Sequence, residues 1–231
     1  MDDKLTIIVS YHDKNLLKIN KIKNHTNSFT QNVIFINNNK YTTDTLNEIK
    51  TRFPFRGVQF DEFNAQSYYS EKLTKHHTDY VYHMHYRRIL KDVYIPEIEL
   101  DKKNIYCVYD GSDYKMINHI NNFVVNDIKS IDIICKILSN IFNIPTSDVK
   151  DILYEESFIS KEMYIMHISL LKEMIQKGYK FIKLFCTNIS TSHFNKRRIV
   201  GYSLEMFVSF FFVYKKLYEK YNLIYKDIEY I

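Results

Sequence analysis

Leu5 to Val9 is an unbroken run of apolar and β-branched residues with no charge in it. Such a run does not suit a strand with one wet face. It suits a strand covered on both sides, as in parallel sheets. Asn32 to Ile36 repeats the pattern and stops at the turn-forming Asn37-Asn38-Asn39. Thr43 to Arg52 has helical spacing, with Asp44 near its start and Pro54 just past its end. Val58 to Phe60 is expected to be a short third strand and Gln66 to His77 a helix. Asp79 to His85 then alternates as a strand, and Asn104 to Tyr109 is a buried-type strand closed by Asp110-Gly111. Strands separated by helical stretches predict an α/β fold, a mostly parallel sheet flanked by helices.

The remainder is mainly helical. Ile128 to Phe142 and the segment opened by Pro145 carry helical spacing, and Phe158 to Met166 fits strand or helix equally. His167 to Gln176 is expected to be a helix ended by Gly178, and Tyr202 to Tyr221 a long amphipathic one. The 231 residues suit one domain, 1–231, with an α/β half over 1–125 and a mainly helical half over 126–231. Four glycines and three prolines leave little material for linkers or Gly-rich phosphate loops. Three well-separated cysteines form no disulfide framework, which fits a reducing, cytoplasmic setting. The acidic start and short first apolar run do not make a secretory signal, and Phe207 to Tyr214 is too short to span a bilayer. Membrane contact is expected to be peripheral at most.

Ligands of open α/β sheets sit beyond the carboxyl ends of the strands. That rule selects Ser10, Tyr11 and His12, then Asn37 to Asn39, then His85 to Arg88, then Asp110 to Asp113. Arg87 and Arg88 are a guanidinium pair able to grip a diphosphate, or else a solvated face paired with acids such as Asp79 or Asp61. His83 and His85 lie two apart and so share a strand face. They form a candidate metal pair with Asp110 as third ligand, or else a pair of hydrogen-bonded core histidines. Arg198, Gly201 and Glu205 precede or open the last long helix. The net charge of +5 suits an anionic ligand, but the lysines are scattered among acids and no nucleic-acid motif appears. Nucleic acid is therefore not expected as a partner.

Three motifs in order carry a resemblance. Ser10-Tyr11-His12 follows the first strand, Asp79-Tyr80 runs into His85-Tyr86-Arg87-Arg88, and Arg198-x-x-Gly201-Tyr202-x-x-Glu205 comes late. In these the chain resembles the GT-A-type glycosyltransferases of bacterial capsular-polysaccharide and O-antigen clusters. The resemblance implies a GT-A-like sheet and hexosyl transfer from a UDP-, GDP- or dTDP-sugar to a glycan or glycolipid acceptor. It implies donor binding by Ser10, Tyr11, His12, Asn37, His85, Tyr86, Arg87 and Arg88, and catalytic roles for Glu205, Arg198 and Asp110. Two departures stand out. Met206 takes the place of the arginine that usually follows the late glutamate, and His83-Met84-His85 stands where such enzymes carry an acidic Asp-x-Asp metal motif. Mn or Mg dependence and metal independence both follow naturally, with basic residues neutralising the diphosphate in the second case. A sugar-nucleotide or glycan-binding protein without catalysis is the alternative that these departures suggest.

Overall fold

The computed structural model describes residues 5–12, 22, 32–55, 57–73, 79–85, 87–91, 101–108, 113–159, 163–195 and 198–230. Tyr86 and Asp110, and with them Arg197, His76 and His77, lie outside the described residues.

The first apolar run is strand β1 (Leu5–Tyr11). It lies between β2 (Asn32–Asn37) and β3 (Tyr80–His85) and is parallel to both. Beyond β3 comes β6 (Tyr164–His167), antiparallel both to β3 and to β5 (Asn104–Val108) on its other side. Strand β7 (Asn222–Lys226) pairs parallel with β5 and completes the order β2-β1-β3-β6-β5-β7. All of these but β6 point the same way, so the sheet is mostly parallel. A small antiparallel ribbon of β4 (Arg88–Leu90) and β8 (Ile228–Tyr230) hangs off β3.

The strands show why continuous apolar runs were needed. On β1, Ile8 faces a large helical core, while Leu5, Ile7 and Val9 face a second apolar layer with Tyr80, Tyr82 and Met84 of β3. Successive side chains point to opposite faces, so covering both faces requires an apolar residue at almost every position.

Seven α-helices are described. They are α1 (Asp44–Arg52), α2 (Asp61–Tyr68), α3 (Met116–His119), α4 (Ile128–Phe142), α5 (Thr146–Glu155), α6 (Ile168–Asn188) and α7 (Ile199–Glu219). Helices α2 and α3 each run on as a π turn, Tyr69–Leu73 and Ile120–Val124. The Thr43 hydroxyl accepts from the Leu46 amide and caps α1; Asp127 caps α4 in the same way through Ser130.

Several expectations need correcting. Val58 to Phe60 is no strand, because the amides of Val58 and Gln59 are used locally, on the carbonyls of Phe55 and Gly57. The helix after it begins at Asp61 rather than Gln66. Tyr164 to His167 resolves as strand, and the chain end supplies two further strands. Helix α7 is not amphipathic in the ordinary sense. Ile199 through Gly201, Ser203, Leu204 and the run Met206 to Val213 are all buried, which is the signature of a helix enclosed by neighbours. Even Lys215 is buried, its ammonium held by Glu173 and Glu219 at 2.6 Å each.

Gly178 does not end α6 but lies inside it, where the helix meets Phe63 of α2. A Cβ there would come within 2.7 Å of Phe63 Cε2. Phe63 is fully buried and has little room to yield. Gly178→Ala is therefore expected to lower stability by about 1–3 kcal/mol through overpacking, despite its better helix propensity. Chemical denaturation checks this, and an unchanged or raised midpoint would contradict the close approach.

Candidate active site

At the carboxyl ends of β1 and β2 the sheet opens into a cavity of 620 Å³. Its wall is drawn from the turn after β2 (Asn38, Asn39, Thr42), from α1 (Asn47, Lys50), from the lead into α2 (Val58 to Asp61, with Asn64), and from His12 and Arg198. The turn is built by its asparagines. The Asn37 side-chain oxygen accepts from the Asn39 amide at 2.9 Å, and the Asn39 side chain donates to the His12 carbonyl at 3.2 Å. From below, Asn64 donates to the carbonyls of Asn38 and Tyr41 at 2.7 and 2.6 Å. The Asn64 Oδ1, and both polar atoms of the Asn38 side chain, are buried without a hydrogen-bond partner. Buried carboxamides normally find partners, so the hydrogen-bonding capacity of this wall is not saturated by the protein itself.

The floor of the cavity is ionic. Asp61 and Glu62 open α2. Glu62 Oε1 stands 3.5 Å from His12 Nε2 and 3.7 Å from His85 Nε2. Asp61 Oδ2 accepts from Arg198 Nε at 2.9 Å, and Arg198 Nη2 lies 3.9 Å from Glu205 Oε1. The other Glu205 oxygen is 3.9 Å from His119 Nε2. Asp61 and Arg198 both occupy the left-handed region, with φ of 45° and 64°. Neither is a glycine, and each such residue costs about 1 kcal/mol or more. Two strained residues that begin two helices and bind each other hold this corner in one geometry.

Charge is sorted by environment. The Glu62 carboxylate raises His12 above its ordinary value and favours the imidazolium. Burial works against the Glu62 charge, but its pairing with His12 more than offsets this and holds its carboxyl below the ordinary range. Burial pushes His85 down to about 3 and His119 down to about 4, so both are neutral near pH 7. Burial, reinforced by the charges of Glu62 and Asp61, raises Glu205 to about 8 against the pull of Arg198 and Arg88. The cluster thus contains a carboxyl poised near neutrality beside a permanent cation, an arrangement suited to proton transfer.

The sequence-selected residues divide on inspection. His12 and Arg198 line the cavity, and Glu205 adjoins it through Arg198. His85 contributes to the floor through Glu62. Ser10 is fully buried, its hydroxyl directed at the Met84 carbonyl 3.5 Å away, and Tyr11 packs on the second apolar layer. Asn37 shapes the turn. Arg87 is an exposed turn residue whose amide donates to His85 Nδ1 at 3.2 Å; Arg88 is half-buried, with its guanidinium 5.8 Å from the Tyr230 ring. Neither arginine is among the cavity-lining residues, where the side-chain cations are Lys50, Arg198 and His12. His83 is fully buried against Tyr164, with Nδ1 3.4 Å from Gln66 Nε2. Among the described residues, ligand atoms within 4.8 Å of one another, close enough for a metal ion, belong to His12, Asp61 and Glu62. Sequence reasoning did not select Glu62, Asn64 or His119 for the site. Their signal was weak: an acidic pair after a short apolar stretch, and single polar residues on helices.

Met206 is wholly buried in the core and is not among the cavity-lining residues. Among the described residues no helix is long and apolar enough to cross a membrane.

No protein-family model matches the chain, and neither does any curated protein. A solved structure does: the fold is that of the apo structure of WbbM, a bifunctional glycosyltransferase, with a TM-score of 0.60 at 14% identity. The likeness covers 99% of this chain and 45% of that one, so the chain spans less than half the length of WbbM. The likeness establishes a fold shared with part of that protein, an α/β sheet flanked by helices.

Proposed function

We propose that the protein is a glycosyltransferase that moves a hexosyl group from a nucleotide-diphosphate sugar to a glycan or glycolipid acceptor. The observation that carries this reading is the continuity of the site. A cavity lined by the buried carboxamides of Asn38 and Asn64 leads over an ionic floor, through Arg198, to Glu205, a carboxyl raised to about 8.

In this reading Asn38 and Asn64 meet the polar edge of the nucleoside, while Lys50, Arg198 and protonated His12 face the diphosphate. As the bond from the anomeric carbon to the phosphate oxygen breaks, the leaving diphosphate keeps the electron pair and gains charge. Fixed cations then stabilise the transition state more than the ground state. The acceptor oxygen forms the new bond to the anomeric carbon, and its proton passes to the Glu205 carboxylate. Arg198 bridges the two halves of the chemistry, since it pairs with both Asp61 and Glu205.

With His12 deprotonated, His12, Asp61 and Glu62 would instead offer one nitrogen and two carboxylate oxygens, a donor set that suits Mn or Mg. Such an ion would supply further positive charge to the diphosphate. Arg198 and Lys50 provide charge in the same region without one.

A ligand that binds only the folded protein raises its melting temperature by mass action. The expected result is a selective rise with one of UDP, GDP or dTDP, diminished by Asn38→Ala. Comparison with and without Mn²⁺ or Mg²⁺ reads the part played by a metal. No rise with any of them would reject the proposal. A rise without turnover in the presence of acceptors would favour the non-catalytic binding protein.

A further inference from the structure

Beside Glu205, on the side where Arg198 leaves the cavity, the surface turns aromatic. Phe123, in the π turn after α3, is 43% exposed. Its ring lies 5.0 Å from that of Tyr202 on α7 and 5.2 Å from that of His119. His119 is backed by Phe158, stacked beneath it at 4.2 Å and 13°, so the outer rings rest on a rigid base. The polar border of this surface is the catalytic cluster itself. His119 Nε2 lies 3.0 Å from the Tyr202 carbonyl and 3.9 Å from Glu205 Oε2, and the Arg198 guanidinium sits over the Tyr202 ring at 5.1 Å.

A sugar ring has the matching chemistry: C–H groups on its faces and hydroxyls around its edge. Exposed aromatic faces bordered by a carboxyl and a guanidinium complement both, as amphipathic rings do where one side of a ligand is apolar and the other wet. Resting on the transferase reading, we propose that Phe123 and Tyr202, seated on the buried His119 ring, form the acceptor subsite, on which a sugar ring lies with a hydroxyl turned towards Glu205. The acceptor is then a saccharide, or the sugar end of a glycolipid, recognised by its ring and not by a charged group. Donor cavity and acceptor platform meet at Arg198, which touches both.

The chain contains no tryptophan, so Phe123→Trp installs a single fluorescent reporter on the platform. It is titrated with the methyl glycosides of glucose, galactose, mannose, N-acetylglucosamine and rhamnose, and separately with the nucleoside diphosphates. The expected result is a saturable change in tryptophan emission with at least one glycoside, retained without nucleotide. In Phe123→Ala, kcat/KM for transfer to that glycoside falls about tenfold or more, mainly through KM, while the nucleotide-induced rise in melting temperature persists. The proposal is overturned if no glycoside alters the emission, if only nucleotides do, or if Phe123→Ala transfers as well as the parent. An emission response to glycosides in a protein that binds no nucleotide would instead reject the transferase reading and leave a saccharide site in place.

Discussion

Replacing Glu205 by glutamine is expected to abolish transfer and at the same time raise stability. The loss of activity follows from its proposed role: an amide cannot accept the acceptor's proton, and removing a well-placed base costs about 10²–10⁴-fold. The gain in stability follows from linkage. Glu205 is raised from 4.5 to about 8 in the folded protein. Between those values the folded chain keeps a proton that the unfolded chain has released. The favourable contribution is full below 4.5 and is lost as pH rises through about 8. A glutamine at this position stays neutral, so it avoids the loss. Allowing for the partial exposure of the side chain, the gain at pH 8 is about 2–3 kcal/mol, worth roughly 5–10 °C in melting temperature. The gain should shrink steadily as pH is lowered towards 4.5. Parent activity should rise with pH through about 8, as the carboxylate forms. Melting curves of both proteins over this pH range test the assignment. A stability difference that does not vary with pH would remove Glu205 from the role of tuned base, and so would a parent activity that is flat across it.

Gly201→Ala should be more damaging than Gly178→Ala. Gly201 is in the first turn of α7, so the helix starts before it and not after it as its sequence position suggested. It needs no special φ. What it provides is room, because a Cβ would stand 2.9 Å from Asp61 Cγ and closer still to Oδ2. Asp61 cannot simply swing away. It starts α2 at a left-handed φ of 45° and is bound to Arg198. The methyl would break that ion pair, leaving a nearly buried carboxylate without its partner, and would disturb Arg198, which also pairs with Glu205. The expected cost is about 3 kcal/mol or more of stability, together with loss of transfer. Asp61→Asn in the same background removes the charge but not the clash. The double variant should therefore recover little, whereas Gly201→Ala with Asp61→Gly should recover stability but not activity. If Gly201→Ala alone retains both, the tight approach of α7 to Asp61 is wrong.

These two residues show how the late motif works. Arginine, glycine and glutamate at that spacing could be read on the page, but the glycine lies inside the first turn of the helix and does not precede it. Its function is to let α7 approach α2, and the residue that requires the space lies 140 positions earlier. Gly178 repeats the lesson where α6 meets Phe63. A missing side chain gives no sign in the sequence of which neighbour it accommodates.

What the sequence determined by itself was the layering. Continuous apolar runs in β1, β2 and β5 require a sheet covered on both faces, and helical spacing places α1, α4 and α5 within a residue or two. Those are local properties of spacing and burial, and a chain carries them openly. The short strands at the chain end and β6 were harder to read, because a few alternating residues become a strand only when a partner edge is available to pair with. The tertiary structure alone decided the site. His12, Glu62, His85, His119, Arg198 and Glu205 come from β1, α2, β3, α3 and α7 and meet only because the sheet and helices bring their ends together. The proton affinity of Glu205 was equally beyond the sequence, since it depends on burial and on charges contributed by residues far away along the chain. Hydrophobic periodicity is written in near neighbours, but an electrostatic environment is a property of the whole folded arrangement.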